Sequence, residues 1–137
     1  MAYWLLKSEP DSWSWQQQVG AGAKGTCWSG VRNHSAKQNL MAMRVGDEAF
    51  FYHSGEGKEI VGVVTITKPY YPDPTDKMGT FGMVDVRADK PLRKPVTLAA
   101  IKAEPRLKDM VLVNNSRLSV QPVTEAEWKL ICKMGGV

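Results

Sequence analysis

The sequence predicts an α+β fold, with a mixed, mostly antiparallel sheet, curled or barrel-like, and short helices packed around it. Three observations predict it. The β-branched and aromatic runs are short and end at Gly or Pro. Helical periodicity is confined to a few brief segments. The strand–helix alternation of doubly wound folds is absent. Five or six strands and three or four helices are expected. The 137 residues suit one domain spanning 1–137.

Tyr3 to Lys7 reads as a first strand, apolar and aromatic. Pro10 cannot join a ladder and biases Glu9 away from helix. Asp11 or Ser12 is expected to cap a short helix reaching about Val19. Gly20, Gly22 and Gly25 then loosen the chain into a loop that ends at Cys27-Trp28-Ser29-Gly30. Asn33 to Met43 carries Ala36, Leu40 and Met43 near a helical period. Glu48 to His53 is a strand entered through the Gly46-Asp47 turn, and Ser54-Gly55-Glu56-Gly57 is a loop of hairpin type. Glu59 to Lys68 is the strongest strand, β-branched along most of its length. Pro69 to Thr75 holds three prolines and two tyrosines and reads as a stiff irregular loop. Phe81 to Ala88 is another strand. A short helix starts at Thr97 or Leu98 and stops by Pro105. Leu118 to Val123 is a short strand. Thr124 and Glu127 form a capping box ahead of a helix that buries Trp128 and Ile131, and Gly135 stops it.

Composition is ordinary for a globular chain, 43% hydrophobic and 23% charged. The net charge of +4 and pI of about 9.1 are compatible with a polyanionic partner without requiring one. Cys27 and Cys132 lie far apart, with no C-x-x-C pair, so neither a zinc site nor a redox motif is indicated. The N-terminus lacks a basic segment and a signal-length apolar run. No stretch approaches the ~18 apolar residues of a membrane span. A cytoplasmic protein with reduced thiols and no membrane partner is expected, and the N-x-S matches at Asn33 and Asn114 then carry no sugar. Neither a G-x-G-x-x-G fingerprint nor a G-x-x-x-x-G-K-[ST] loop is read in the chain, so nucleotide cofactors of those types are not expected, and no cofactor is expected.

The residues that stand out are aromatic and polar groups in Gly- and Pro-rich loops. Trp28 sits between Thr26-Cys27 and Ser29-Gly30, and Tyr70 and Tyr71 sit in the proline-rich segment. Trp28 either plugs the end of the core or leaves a face open for a flat ligand. Stacking a base on such a ring contributes ~1–3 kcal/mol. Ser8, Ser29 and Asn33 either read a base edge or cap turns and helices. Arg32 and Arg117, each beside a candidate pocket segment, could grip a phosphate or remain solvated. Catalytic patterns are weak. There is no G-x-S-x-G, no H-E-x-x-H, and no histidine pair at i, i+4 spacing. A Cys27–His thiolate pair is less expected than inert packing of Cys27. Asp73, Asp76 and Asp85 do not match a calcium loop, and no metal is expected.

Seven short stretches occur in the order found in the EVE domain family, and the chain resembles that family over almost its whole length. They are Trp4-Leu5-Leu6-Lys7-Ser8-Glu9-Pro10, Trp28-Ser29-Gly30-Val31-Arg32-Asn33, Val45-Gly46-Asp47, Phe50-Phe51-Tyr52-His53-Ser54, Tyr71-Pro72-Asp73, Met83-Val84-Asp85-Val86 and Arg117-Leu118-Ser119-Val120-Gln121-Pro122-Val123. The resemblance implies a PUA-like fold, a curled, mostly antiparallel β-barrel related to the ASCH and YTH domains. It also implies the recognition of a single modified base, cytosine derivatives among them, in DNA or RNA. Similarity to YTH readers makes Trp28 one wall of an aromatic cage, with Ser8, Glu9 and Ser29 at the base edge. The second wall is expected from Tyr70 and Tyr71. Phe81 stands where a Trp is frequent in the family.

Three functions follow as expectations. The first is a non-enzymatic module that takes a flipped base beside Trp28, with Ser8, Ser29 and Asn33 at its edge and Arg32 and Arg117 on flanking phosphates. The second rests on similarity to small ASCH amidohydrolases of acylated cytidines, for which Lys7, Thr26 and Glu9 are residues of the right types. The third is a protein- or small-ligand-binding module that never meets nucleic acid.

Overall fold

The computed structural model describes residues 1–55 and 57–137. Glu56, which the sequence places in a hairpin-type loop, lies outside the described residues. Among these residues six strands form one mixed sheet: β1 (Tyr3–Ser8), β2 (Thr26–Cys27), β3 (Glu48–His53), β4 (Glu59–Pro72), β5 (Gly82–Thr97) and β6 (Val120–Val123). Their order is β2-β5-β4-β3-β1-β6. Only β1 and β3 run parallel, with Leu5 opposite Phe50 and Ser8 opposite His53. The remaining pairs are antiparallel.

The sheet is apolar on both faces, which explains the uninterrupted hydrophobic runs in its central strands. Trp4, Leu6, Ala49, Phe51, Val64, Ile66, Val84 and Val86 pack on one face. Helix α2 (His34–Ala42) covers them with Ala36 and Leu40. Leu5, Phe50, Tyr52, Ile60, Val63 and Leu92 pack on the other. Helices α3 (Leu98–Ala103), α4 (Val111–Asn114) and α5 (Glu125–Met134) close that face. Trp128 of α5 lies between Tyr3 and Phe50, with ring centroids 4.5 and 3.9 Å away. The capping box of α5 forms as read, Thr124 accepting from the Glu127 N–H and Glu127 from the Thr124 N–H.

Several elements differ from the sequence reading. The first helix, α1 (Trp15–Gly20), is capped by Ser14 rather than Asp11 or Ser12, because Gln17 completes a capping box with Ser14. Residues Glu9–Trp13 form a turn instead, the Ser12 and Trp13 N–H groups both donating to the Glu9 carbonyl. Next, β4 runs on to Pro72 through what the sequence offers as a loop, and β5 runs on from Ala88 to Thr97. Their prolines are tolerated because the β4–β5 register shifts four times, so some backbone positions need no ladder donor. Helix α4 is a single turn with no side-chain cap, too short to leave a periodic trace.

Two glycines fix close approaches. A Cβ on Gly62 would run into the Trp15 ring, and one on Gly25 (φ +72°) would strike the Val86 carbonyl. Gly20, Gly22 and Gly25 also stand at dinucleotide-fingerprint spacing, a pattern the sequence reading passes over. They follow α1 and make a 3₁₀ turn (Gly22–Lys24), not the strand–turn–helix that such a fingerprint needs. Among the described residues no helix is long and apolar enough to cross a membrane.

Candidate base-binding site

Two segments converge at one end of the sheet. The end of β1 supplies Lys7 and Ser8, and the turn after it supplies Glu9, Ser12 and Trp13. Strand β2 and the residues beyond it supply Thr26, Cys27, Trp28 and Ser29. Together they line a cavity of about 450 Å³, within the roughly 300–1,000 Å³ of small-ligand sites.

Trp28 is held by the core. Its N–H donates to the Val84 carbonyl at 2.7 Å, prolonging the β2–β5 pairing. Its ring meets Phe51 edge-on, centroids 5.5 Å apart, and only 8% of the residue is exposed. Trp28 therefore plugs the core and lines the cavity at once. Trp13 is held by hydrogen bonds. Its carbonyl accepts from Ser8 Oγ at 2.5 Å, and its indole Nε1 donates to Gln18 Oε1 at 2.9 Å. Gln18 is fully buried and anchors to the Val86 carbonyl at 3.4 Å. Next to Trp13, the Trp15 N–H donates to His53 Nε2 at 3.0 Å. Burial holds the His53 imidazole below its usual pKa, which keeps that acceptor neutral.

Ser8, Glu9, Trp28 and Ser29 thus share the cavity, as the sequence suggests. Asn33 does not: it caps α2, its Oδ1 accepting from the Ala36 N–H at 2.9 Å. Neither do Tyr70 and Tyr71, because the strand takes them along β4. Tyr70 packs over Gly82 against the apolar face. The Tyr71 hydroxyl donates to Asp85 at 2.5 Å, and Lys68 Nζ lies 3.9 Å from its ring centre. Burial, together with Asp85, keeps that phenol protonated. Arg32 is also committed elsewhere, to Asp73 at 3.2 Å and Thr75 at 2.9 Å. Asp73 is buried and braces the neighbouring loops. Burial works against its charge, but donors from Thr75, the Gly30 N–H and Arg32 prevail and hold its carboxyl down to about 2. Arg117 remains exposed on a turn tied to the site, where Lys7 Nζ donates to the Ser116 carbonyl at 2.6 Å.

The second aromatic residue on the cavity is therefore Trp13. The signal for it was Ser14-x-x-Gln17, a capping box that starts the helix after Trp13 and leaves that ring on a turn. Phe81 lies apart, its ring tilted by 40° against that of His34, centroids 5.1 Å apart. Neither histidine lines the cavity beside Cys27. Among the described residues no group of three His, Cys, Asp or Glu is placed to hold a metal.

A family model, that of the EVE domain, matches residues 2–134. Human thymocyte nuclear protein 1 is 33% identical over 97% of this chain and 73% of its own. The structure of human THYN1 in complex with DNA containing 5-methylcytosine is similar at a TM-score of 0.92, with 32% identity over 100% of this chain and 99% of that one. An NMR structure of a Rhodopseudomonas palustris protein, Rpa0253, is similar at a TM-score of 0.94, with 68% identity over 99% and 94% of the two chains. A YTH domain from Zygosaccharomyces rouxii shares the fold at 20% identity and a TM-score of 0.59, over 98% and 86%. The curled, PUA-like architecture expected from the sequence is common to them.

Proposed function

This chain belongs to the EVE domain family, and on that premise we propose that it reads one modified base, of methylated-cytosine type, flipped out of a nucleic acid into the cavity between Trp13 and Trp28. The observation that carries this is the pair of tryptophans lining one cavity beside serine and glutamate side chains. Support comes from the human relative whose structure holds 5-methylcytosine DNA. A base that leaves its stack costs a few kcal/mol, least in a single strand. Stacking on the indoles offsets that cost, and a methyl group gains ~0.8 kcal/mol from apolar contact.

Ser8 gives the edge a direction. Its single hydroxyl proton goes to the Trp13 carbonyl, so toward a ligand it offers only lone pairs. It suits an exocyclic amine, the donor that cytosine carries. Glu9 offers a second acceptor, and Ser29 a hydroxyl free to donate. The exposed Arg117 offers a guanidinium to a flanking phosphate. Such a reader works where nucleic acid is, in the cytoplasm or, in a eukaryote, the nucleus.

Titration of tryptophan fluorescence with 5-methyl-2′-deoxycytidine and its unmodified parent tests the reading. Selective quenching is expected. Trp13→Ala should weaken binding by about tenfold or more, in line with ~1–3 kcal/mol for one aromatic–base stack. Equal affinity in that variant overturns the pocket, and binding to neither nucleoside favours an interaction module instead.

One observation favours a second reading. Lys7, Thr26 and Glu9, the residue types of the ASCH amidohydrolases, all line the same cavity. Against it, the Lys7 ammonium already commits one of its three N–H donors to the Ser116 carbonyl, away from the other two residues. Incubation with N4-acetylcytidine followed by chromatography decides: released cytidine establishes the hydrolase, and none over hours removes it.

A further inference from the structure

A second cavity, of about 280 Å³, opens on the far side of Lys7. Lys7 lines both cavities, so the two are neighbours across one side chain. The second is floored by Tyr52 and Leu112 and flanked by Ser54, Ser116 and Lys58.

Among the described residues no carboxylate forms an ion pair with the lysines of this cavity. The Lys7 ammonium is half-buried, and burial lowers its pKa. Its one recorded hydrogen-bond partner is a neutral carbonyl. The ion pairs among the described residues join Arg32 to Asp73, Arg106 to Glu104 and Lys129 to Glu125, and none involves Lys7 or Lys58. Two ammonium groups thus flank a hollow with serines on its walls, and a desolvated cation is stabilised by an anion with acceptor oxygens. Lys58 is also held in an unusual way. It has a positive φ of 40°, alone among the described non-glycine residues, and its carbonyl accepts from the Leu98 N–H at 2.8 Å. Side-chain-bearing residues seldom adopt that conformation, and here it sets the lysine at the rim of the hollow.

Resting on the base-reading proposal, we infer that this second cavity seats the nucleotide next to the flipped one, with the phosphate that joins them lying between Lys7 and Lys58. The strand then crosses the mouth of the base pocket over Lys7 toward the loop between β3 and β4. It does not run toward Arg32, whose guanidinium is already held by Asp73 and Thr75.

The test compares 5-methyl-2′-deoxycytidine with its 5′- and 3′-monophosphates, on the wild-type protein and on Lys58→Gln and Lys58→Gly. The glycine variant suits the positive φ, so a folding defect in the glutamine variant alone is recognisable. One of the two monophosphates should bind about tenfold more tightly than the nucleoside, as a charge-assisted contact warrants. That gain should weaken with salt and vanish in both variants, while nucleoside affinity holds. A gain that survives both variants, or no gain from either phosphate, overturns the inference. Competition by excess inorganic phosphate that leaves the monophosphates no tighter than the nucleoside also overturns it, showing a free-phosphate site. Failure of the nucleoside itself to bind any form overturns the base-reading proposal. In that case, oligonucleotide binding insensitive to Lys58 overturns this one as well.

Discussion

The two faces of the sheet carry the same kind of residue in opposite ways. On the face closed by α3, α4 and α5, Trp128 is sandwiched between Tyr3 and Phe50 and is only 6% exposed. On the other face Trp28 meets Phe51 edge-on and Trp13 hangs on hydrogen bonds, and both border open space. Around Trp128 the first face is closely packed, so its tryptophan contributes stability. The second is braced by polar anchors, Gln18, Ser8, His53 and Asp73, that hold rings in place without filling the space beside them. A sheet buried on both sides can therefore divide its labour, with one side supplying stability and the other a preorganised hollow.

The sharpest way to break this contrast is Trp128→Ala. It should lower stability by about 3–5 kcal/mol, as large-to-small changes in a sealed core do. Denaturant unfolding measures this, and the fraction that remains folded should bind the nucleoside as before. A loss of affinity per folded molecule would mean that the faces are coupled. Gln18→Leu acts on the other side. It keeps the volume but frees the Trp13 indole, so stability should fall by only about 1 kcal/mol, with a several-fold drop in affinity. If stability falls steeply and affinity does not, Gln18 serves the core and not the wall.

The smallest effect is expected from pH. Burial depresses the His53 pKa against a weaker upward pull from Glu59. A base so depressed binds fewer protons in the folded state, so its contribution is full above the ordinary value of 6.5. It is lost as pH falls below that value through the folded pKa. Protonated Nε2 can no longer accept from the Trp15 N–H. Nucleoside affinity should thus decline modestly between pH 6.5 and the acid side, and His53→Gln should flatten that decline.

Much of this was legible in the sequence, for identifiable reasons. The central strands β1 and β3 and helices α2 and α5 carry clean signals: continuous apolar runs, Asn33 and Thr124 as caps, and Gly135 as a stop. β4 is longer than its sequence suggests because the prolines from Pro69 on read as a loop, and only the register shifts that accommodate them reveal a strand. At the site, Ser8, Glu9, Trp28 and Ser29 could be grouped because β1 and the Trp28 loop each announce themselves. Tyr70 and Tyr71 drew attention as loop aromatics, yet they belong to a strand. Trp13 escaped because the helix cap was read at Asp11 or Ser12, two or three residues before Ser14, which put its ring on a helix.

The pairing of β1 has a kinetic consequence. Its partners are β3 and β6, about 45 and 115 residues further on, and the Lys7 N–H is tied to the Ser119 carbonyl. Contacts so distant in sequence form slowly, since loop closure precedes any gain from them. During synthesis the Trp4-Leu5-Leu6 run emerges before either partner, and its β6 edge waits about 115 residues, well after its β3 edge can pair. That edge of β1 is therefore closed late, and a nascent chain stopped short of β6 presents it open beside the cavity that Lys7 and Ser8 line.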